Sequence, residues 1–198
     1  MAGLVEKAKE VVSSAMEEVT DIIPPPPLAA EAKGEAPGRG RLAGQKILVV
    51  GGGQSVNTFD PNPPMGNGRA ICVLAAREGA TVVVVDRSRE AAQGTVDVIE
   101  KERLPKAHVI VADVSTPEGC SSLMEESMKL LGGQLDGAVI AVGIVGNGSS
   151  ISQDPLAYWE SVMNVNLRPH FLLLQTIGPL LEKASNGGSL VSIGSVAQ

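Results

Sequence analysis

Three groups of residues between Lys46 and Arg87 have the types and spacing to hold a phosphorylated ligand. Gly51-Gly52-Gly53 follows the apolar run Lys46–Val50, Gly66-Asn67-Gly68 opens a segment of helical periodicity, and Asp86 ends a second apolar run that begins at Thr81. Glycines without side chains let backbone approach a pyrophosphate, and a helix behind them aims N–H groups and its positive dipole end at the anion. A carboxylate after the next strand can then accept from ribose hydroxyls. The order strand, glycine loop, helix, strand, acid suits a dinucleotide, and the candidate contacts are Gly52, Gly66, Asn67, Gly68 and Asp86. An Asp at this place accepts both ribose hydroxyls of NAD and repels a 2′-phosphate, so NAD is expected ahead of NADP. Arg87 next door could bind that phosphate were Asp86 to turn away.

These residues need elements to position them. Short runs rich in Val and Ile at Lys46–Val50, Thr81–Asp86, His108–Ala112, Leu135–Val142 and Ser189–Ile193 read as strands buried on both faces. Helices announce themselves between the strands. Ser88 can cap one, Thr116 before Pro117 and Glu118 opens the next, Gly132-Gly133 closes it, and Asp154 with Pro155 opens the last long one. Strand and helix in alternation predict an α/β domain: a doubly wound parallel sheet of the Rossmann type, in order 3-2-1-4-5.

The chain divides by composition into three parts. In residues 1–23, Leu4, Ala8, Val11, Ala15, Val19 and Ile22 recur at three and four, which predicts an amphipathic helix, docked on this domain or on a partner subunit, with a frayed tail and a membrane-surface or targeting helix as the other readings. Pro24-Pro-Pro-Pro27 ends it, and 24–41 reads as a Pro/Gly-rich linker. Residues 42–198 read as a dinucleotide-binding domain, incomplete at its C-terminus. A net charge of −6 and scattered Lys and Arg argue against a nucleic-acid partner. No apolar run is long enough for a bilayer, and Cys72 and Cys120 lack CxxC or metal spacing. The expectations are two reduced thiols, no metal, no membrane and a cytoplasmic protein.

From about Leu42 onward, several local sequences resemble the short-chain dehydrogenase/reductase family. Arg41-Leu-Ala-Gly-Gln-Lys-Ile-Leu-Val-Val50 is similar to its first strand, and Gly66-Asn-Gly-Arg-Ala-Ile71 with Leu74-Ala-Ala-Arg-Glu-Gly-Ala80 to its first helix. Ala112-Asp113-Val114, Asn164-Val-Asn166-Leu167 and Gly188-Ser-Leu-Val-Ser-Ile-Gly-Ser195 follow in family order. The resemblance implies an NAD(P)-dependent oxidoreductase that moves hydride between nicotinamide and a small alcohol or carbonyl substrate, and a homo-oligomer at full length. It also implies roles. Asp113 and Val114 meet the adenine, Gly143 admits the cofactor's close approach, Asn166 holds a water of the proton relay, and Ser195 donates to the substrate oxygen. Pro169 supports the Asn166 assignment, because a proline there cannot bond the Val165 carbonyl and opens the helix beside it.

The sequence departs from the family pattern in three places. Gly51-Gly52 stands for Thr-Gly, and thirteen residues, Gly53 to Met65, separate Gly52 from Gly66 where the family has three. The family's Asn-Asn-Ala-Gly reads Ile140-Ala-Val-Gly143. Its Tyr, four residues before a Lys, belongs about a dozen residues beyond the serine, and the sequence ends at Gln198; Tyr158 has Val162 four residues on. Residues 1–198 alone are therefore expected to bind cofactor without turnover, with a non-catalytic NAD(P)-binding regulatory or interaction protein as the alternative. The family's sheet continues past its fifth strand, so Ser189–Ile193 is expected to present an open edge. His108 and His170 are read as structural.

Overall fold

The structure, a computed structural model, describes residues 36–55, 63–145, 155–185 and 187–195. The helix expected over 1–23, most of the linker and the middle of the insertion lie outside the described residues.

A compact unit runs from Pro37 to Gln198. Its described elements, in chain order, are β1 (Lys46–Val50), α1 (Asn67–Arg77), β2 (Thr81–Asp86), α2 (Arg89–Lys101), β3 (Ala107–Val111), α3 (Pro117–Leu130), β4 (Gly137–Ile140), α4 (Leu156–Asn166), α5 (Arg168–Leu181) and β5 (Ser189–Ser192). The strands form one sheet in order β3-β2-β1-β4-β5 with every pairing parallel, as the alternation predicts.

Side-chain alternation along β1 and β2 divides the core in two. Leu48, Val50, Val83 and Val85 face Leu123, Met124, Leu173 and Ile177 of α3 and α5. Ile47, Val49, Val82 and Val84 face Val73 and Ala76 of α1 and Val96 and Ile99 of α2. Successive strand residues point to opposite faces, so continuous Val/Ile runs are what a sheet covered by helices on both sides needs.

The caps form as their residues predict. The Ser88 hydroxyl accepts from Ala91 N–H and the Thr116 hydroxyl from Gly119 N–H, each at 3.1 Å. Gly133, at φ 82°, ends α3 by donating its N–H to Met128 O. The chain breaks between α4 and α5 at Leu167, where φ is −119° and ψ −51°, next to Pro169. Three strands differ from expectation by one or two residues at their ends: β3 runs Ala107–Val111, β4 Gly137–Ile140, and β5 stops at Ser192. β4 begins at Gly137 because Asp136 meets Lys46 with its side chain: Lys46 N–H donates to the carboxylate at 2.8 Å, while Asp136 N–H donates to Lys46 O at 2.9 Å. A side chain thus replaces a ladder carbonyl, and regular pairing starts one residue later.

The end of the predicted linker belongs to the compact unit. Glu78, buried at the C-terminus of α1, accepts from the backbone N–H groups of Arg39 and Arg41, each at 3.0 Å, and from the Arg41 guanidinium at 2.9 Å. The Arg41 bond, above all, holds the Glu78 carboxyl down at about 2. A carboxyl held below its unfolded value stabilises the fold above that value, and the contribution fades as pH falls from the ordinary carboxylate range toward 2. Glu78→Gln is therefore expected to lower the Tm at pH 7 by a few degrees, with the gap to wild type narrowing below the ordinary carboxylate range and closing only near pH 2. Thermal melts across that range check it; a gap that widens in acid contradicts it.

Candidate functional site

In a parallel sheet every strand delivers its carboxyl end to the same edge, and connections leave β1 and β4 in opposite directions. A cleft of about 210 Å³ opens there, at the switch point where α/β sheets bind ligands. Its walls are the residues that follow four strands: Gly51 and Gly53 after β1, Asp86 and Arg87 at β2, Ala112 to Ser115 after β3, and Ala141 to Ile144 after β4. Asp86, Arg87, Asp113, Val114 and Gly143, five of the residues expected to contact cofactor, therefore share one cleft.

Gly51 makes the turn out of β1 at φ 85°, a conformation that L side chains rarely adopt. The N–H groups of Gly51 and Gly52 both donate to Val85 O, at 2.8 and 2.9 Å, which ties the loop to β2. From this turn the Gly53 N–H reaches the Asp86 carboxylate. Asp113 is held by its own turn: Oδ1 accepts from the Ser115 hydroxyl at 2.7 Å and the Ser115 N–H at 3.0 Å. These two bonds, the hydroxyl's first, hold its carboxyl below the usual range, and the Arg87 charge adds to them.

The remaining glycine-motif residues lie beside the turn. Gly66 N–H donates to Gln54 Oε1 at 2.7 Å, and Gln54 Nε2 donates to Pro64 O at 3.3 Å, so one carboxamide joins the two ends of the insertion. Gly68 packs under the loop, where an added Cβ would lie 1.8 Å from Gly51 O. Gly52, Gly66, Asn67 and Gly68 are not among the residues lining the cleft. Gly52 and Gly68 pack behind it, and Asn67 is exposed.

Asn166, at the end of α4, clasps the loop after β4. Its Oδ1 accepts from Ile144 N–H at 2.8 Å, and its Nδ2 donates to Ile144 O at 2.9 Å. Each carboxamide atom retains one further hydrogen-bonding position. Ser195 lies beyond Ile193, whose N–H still pairs with Ile140 O, so the serine falls at the same sheet edge but outside the cleft lining. His170 Nδ1 and the Ser192 hydroxyl share a hydrogen bond of 2.5 Å, and burial lowers the pKa of the imidazole. The Tyr158 hydroxyl donates to Val145 O at 2.9 Å.

Sequence reasoning missed three site residues. Ser55 lines the cleft. Thr95, fully buried in α2, donates its hydroxyl to Gly52 O at 2.8 Å and accepts from Arg69 Nε at 3.0 Å. Gln54 is the third. Cys72 lies behind the loop with its thiol pushed up to about 12 by burial, and Cys120 is also buried; both are free. Among the described residues, no cluster could hold a metal, and no helix is long and apolar enough to cross a membrane.

The family model for short chain dehydrogenases matches residues 64–198, and the chain belongs to that family. It is 33% identical to a 3β-hydroxysteroid dehydrogenase of Mediterraneibacter gnavus over 153 residues, 77% of this chain and 50% of that protein. Among solved structures, a hydroxysteroid dehydrogenase from Escherichia coli is 26% identical with a TM-score of 0.66, covering 80% of this chain and 61% of that one. A 7α-hydroxysteroid dehydrogenase in complex with NADH and 7-oxo glycochenodeoxycholic acid is 28% identical with a TM-score of 0.67, covering 79% and 55%. The chain thus spans about half the length of the curated relatives it matches. Those relatives are oxidoreductases.

Proposed function

We propose that this chain supplies the cofactor-binding part of an oxidoreductase that moves hydride between NAD and an alcohol or carbonyl carbon. One observation carries the reading: the bare turn at Gly51–Gly53 and the Asp86 carboxylate line one cleft at the switch point, with Asp113 after the neighbouring strand β3. A dinucleotide fits that donor set. Gly51 and Gly53 leave room for phosphate, Asp86 accepts from the ribose, and Asp113 Oδ2 and Val114 meet the adenine. The cofactor, when bound, supplies the hydride acceptor or donor.

The protein's own groups orient the reaction. Ser195 is the hydrogen-bond donor toward the substrate oxygen, where charge develops as hydride transfers. Asn166 fixes the Gly143–Ile144 backbone and offers its spare N–H and lone pair to a relay water. NAD is favoured over NADP, and the full-length protein is a homo-oligomer in this reading, supported by the exposed Trp159 of α4, Leu167 at the break, and Phe171 and Leu174 of α5.

Titration calorimetry with NADH tests the proposal. The 198-residue chain is expected to bind NADH weakly, and Asp86→Ala to weaken binding about tenfold by removing charge-assisted acceptors. No ketone reduction is expected from these residues alone, since their only tyrosine, Tyr158, has no lysine four residues on. Binding unaffected by Asp86→Ala would overturn the site assignment, and NADH-dependent turnover the expectation of inactivity.

A further inference from the structure

An ionised carboxylate offers about four lone-pair positions, and Asp86 has two of them occupied by backbone. Gly53 N–H donates to Oδ2 at 3.1 Å, and Ser88 N–H donates to Oδ1 at 3.0 Å. The donors come from two different loops, so rotation of the carboxylate in either direction breaks a bond. One lone pair on each oxygen remains, enough for the two ribose hydroxyls.

Space constrains the group as firmly as hydrogen bonding does. A Cβ at position 53 would lie 2.4 Å from Asp86 Oδ2 and 2.7 Å from the Cβ of Ala91. Ala91 sits in the first turn of α2, whose cap is Ser88, so it cannot withdraw without disturbing that turn. The carboxylate is the part that can move. Any side chain at position 53 would push it toward the orientation in which Arg87 faces the ribose unopposed.

We infer that Gly53 is a specificity-determining residue: its bare backbone clamps the Asp86 carboxylate across the ribose position and so selects dinucleotides without a 2′-phosphate. The inference rests on the dinucleotide reading above and deepens it. Asp86 supplies the charge, whereas Gly53 supplies the position. The motif glycine nearest the acid is required by the acid, independently of any contact with phosphate.

Binding constants for NADH and NADPH, measured on the 198-residue chain and its variants, test this. Wild type is expected to prefer NADH by about tenfold, and Gly53→Ala to reduce that ratio about fivefold or more, with Asp86→Ala doing the same. The double variant should lose no more than Asp86→Ala alone, because both changes act through one carboxylate. Asp86→Glu keeps the charge but, one methylene longer, cannot satisfy the same two N–H groups, and should also lose the preference. It carries the test if Gly53→Ala fails to fold. An unchanged ratio in Gly53→Ala, additive losses in the double variant, or a full preference retained by Asp86→Glu would each overturn the inference while leaving the site intact. A wild type that binds neither dinucleotide overturns the site reading, and the inference with it.

Discussion

Gly68→Ala is expected to destabilise the domain by about 3 kcal/mol, lowering the Tm by roughly 10 °C. The sign is a contest between two effects. Gly68 lies in the first turn of α1, where alanine ordinarily gains up to about 1 kcal/mol of helix propensity. Against this, the new Cβ would stand 1.8 Å from Gly51 O and 3.2 Å from the Gly52 Cα. Both are backbone atoms of a turn already pinned to Val85 O, so neither can swing aside as a side chain would. The helix must move off the sheet, taking Cys72, Val73 and Ala76 partly out of the core they share with Val49 and Val84. A melt monitored by circular dichroism decides it: an unchanged or raised Tm would mean that propensity wins and the contact is soft.

Thr95→Val is expected to cost about 2 to 4 kcal/mol, although the two side chains have almost the same volume. The hydroxyl is fully buried and joins Gly52 O to Arg69 Nε. Valine leaves that carbonyl with only the weak 3.9 Å bond from the Cys72 thiol and the half-buried Arg69 N–H without its acceptor, and an unsatisfied buried group costs about 1 to 3 kcal/mol. Arg69 keeps only its 3.4 Å bond to Ala91 O. Thr95→Ser, which retains the hydroxyl and deletes a methyl, should lose about 1 kcal/mol. Denaturant unfolding of the pair separates the two losses, and equal destabilisation by Val and Ser would show that packing, not the hydrogen bond, holds the loop. Dinucleotide affinity should fall in the Val variant, since Gly52 precedes the N–H that fixes Asp86.

The sheet was legible because its signals are local. Unbroken Val runs, Ser88 and Thr116 at helix starts, Gly132-Gly133 at a helix end and Pro169 at a helix break each act within a few residues, and the strands departed from expectation by only a residue or two at their ends, as at the start of β4, where the Asp136 side chain stands in for backbone. Asp86, Asp113 and Gly143 were placed by their position at strand ends, and they meet in one cleft because parallel strands end together. What escaped the sequence was contact across distance. Thr95 reaches Gly52 over 43 residues and Glu78 reaches Arg39 over 39, and nothing near Thr95 or Glu78 marks them as partners of a loop or a linker. The glycines are ambiguous for a related reason. A position kept bare for a ligand and one kept bare for a neighbouring carbonyl read alike, and only the structure reveals Gly51 O beneath Gly68.

The Gln54 carboxamide, by joining Pro64 O and Gly66 N–H, makes the insertion begin and end at the same point of the fold. For a segment whose ends are fixed, the entropy of closure grows only with the logarithm of its length. Lengthening the connection from three residues to thirteen then costs about 1.3 kcal/mol, less than one well-packed core residue contributes. The first βαβ unit can therefore tolerate a change in the number and kind of residues between Gln54 and Pro64 without rebuilding. The place where the family pattern looks most damaged is a port at which new sequence can be added beside the cleft.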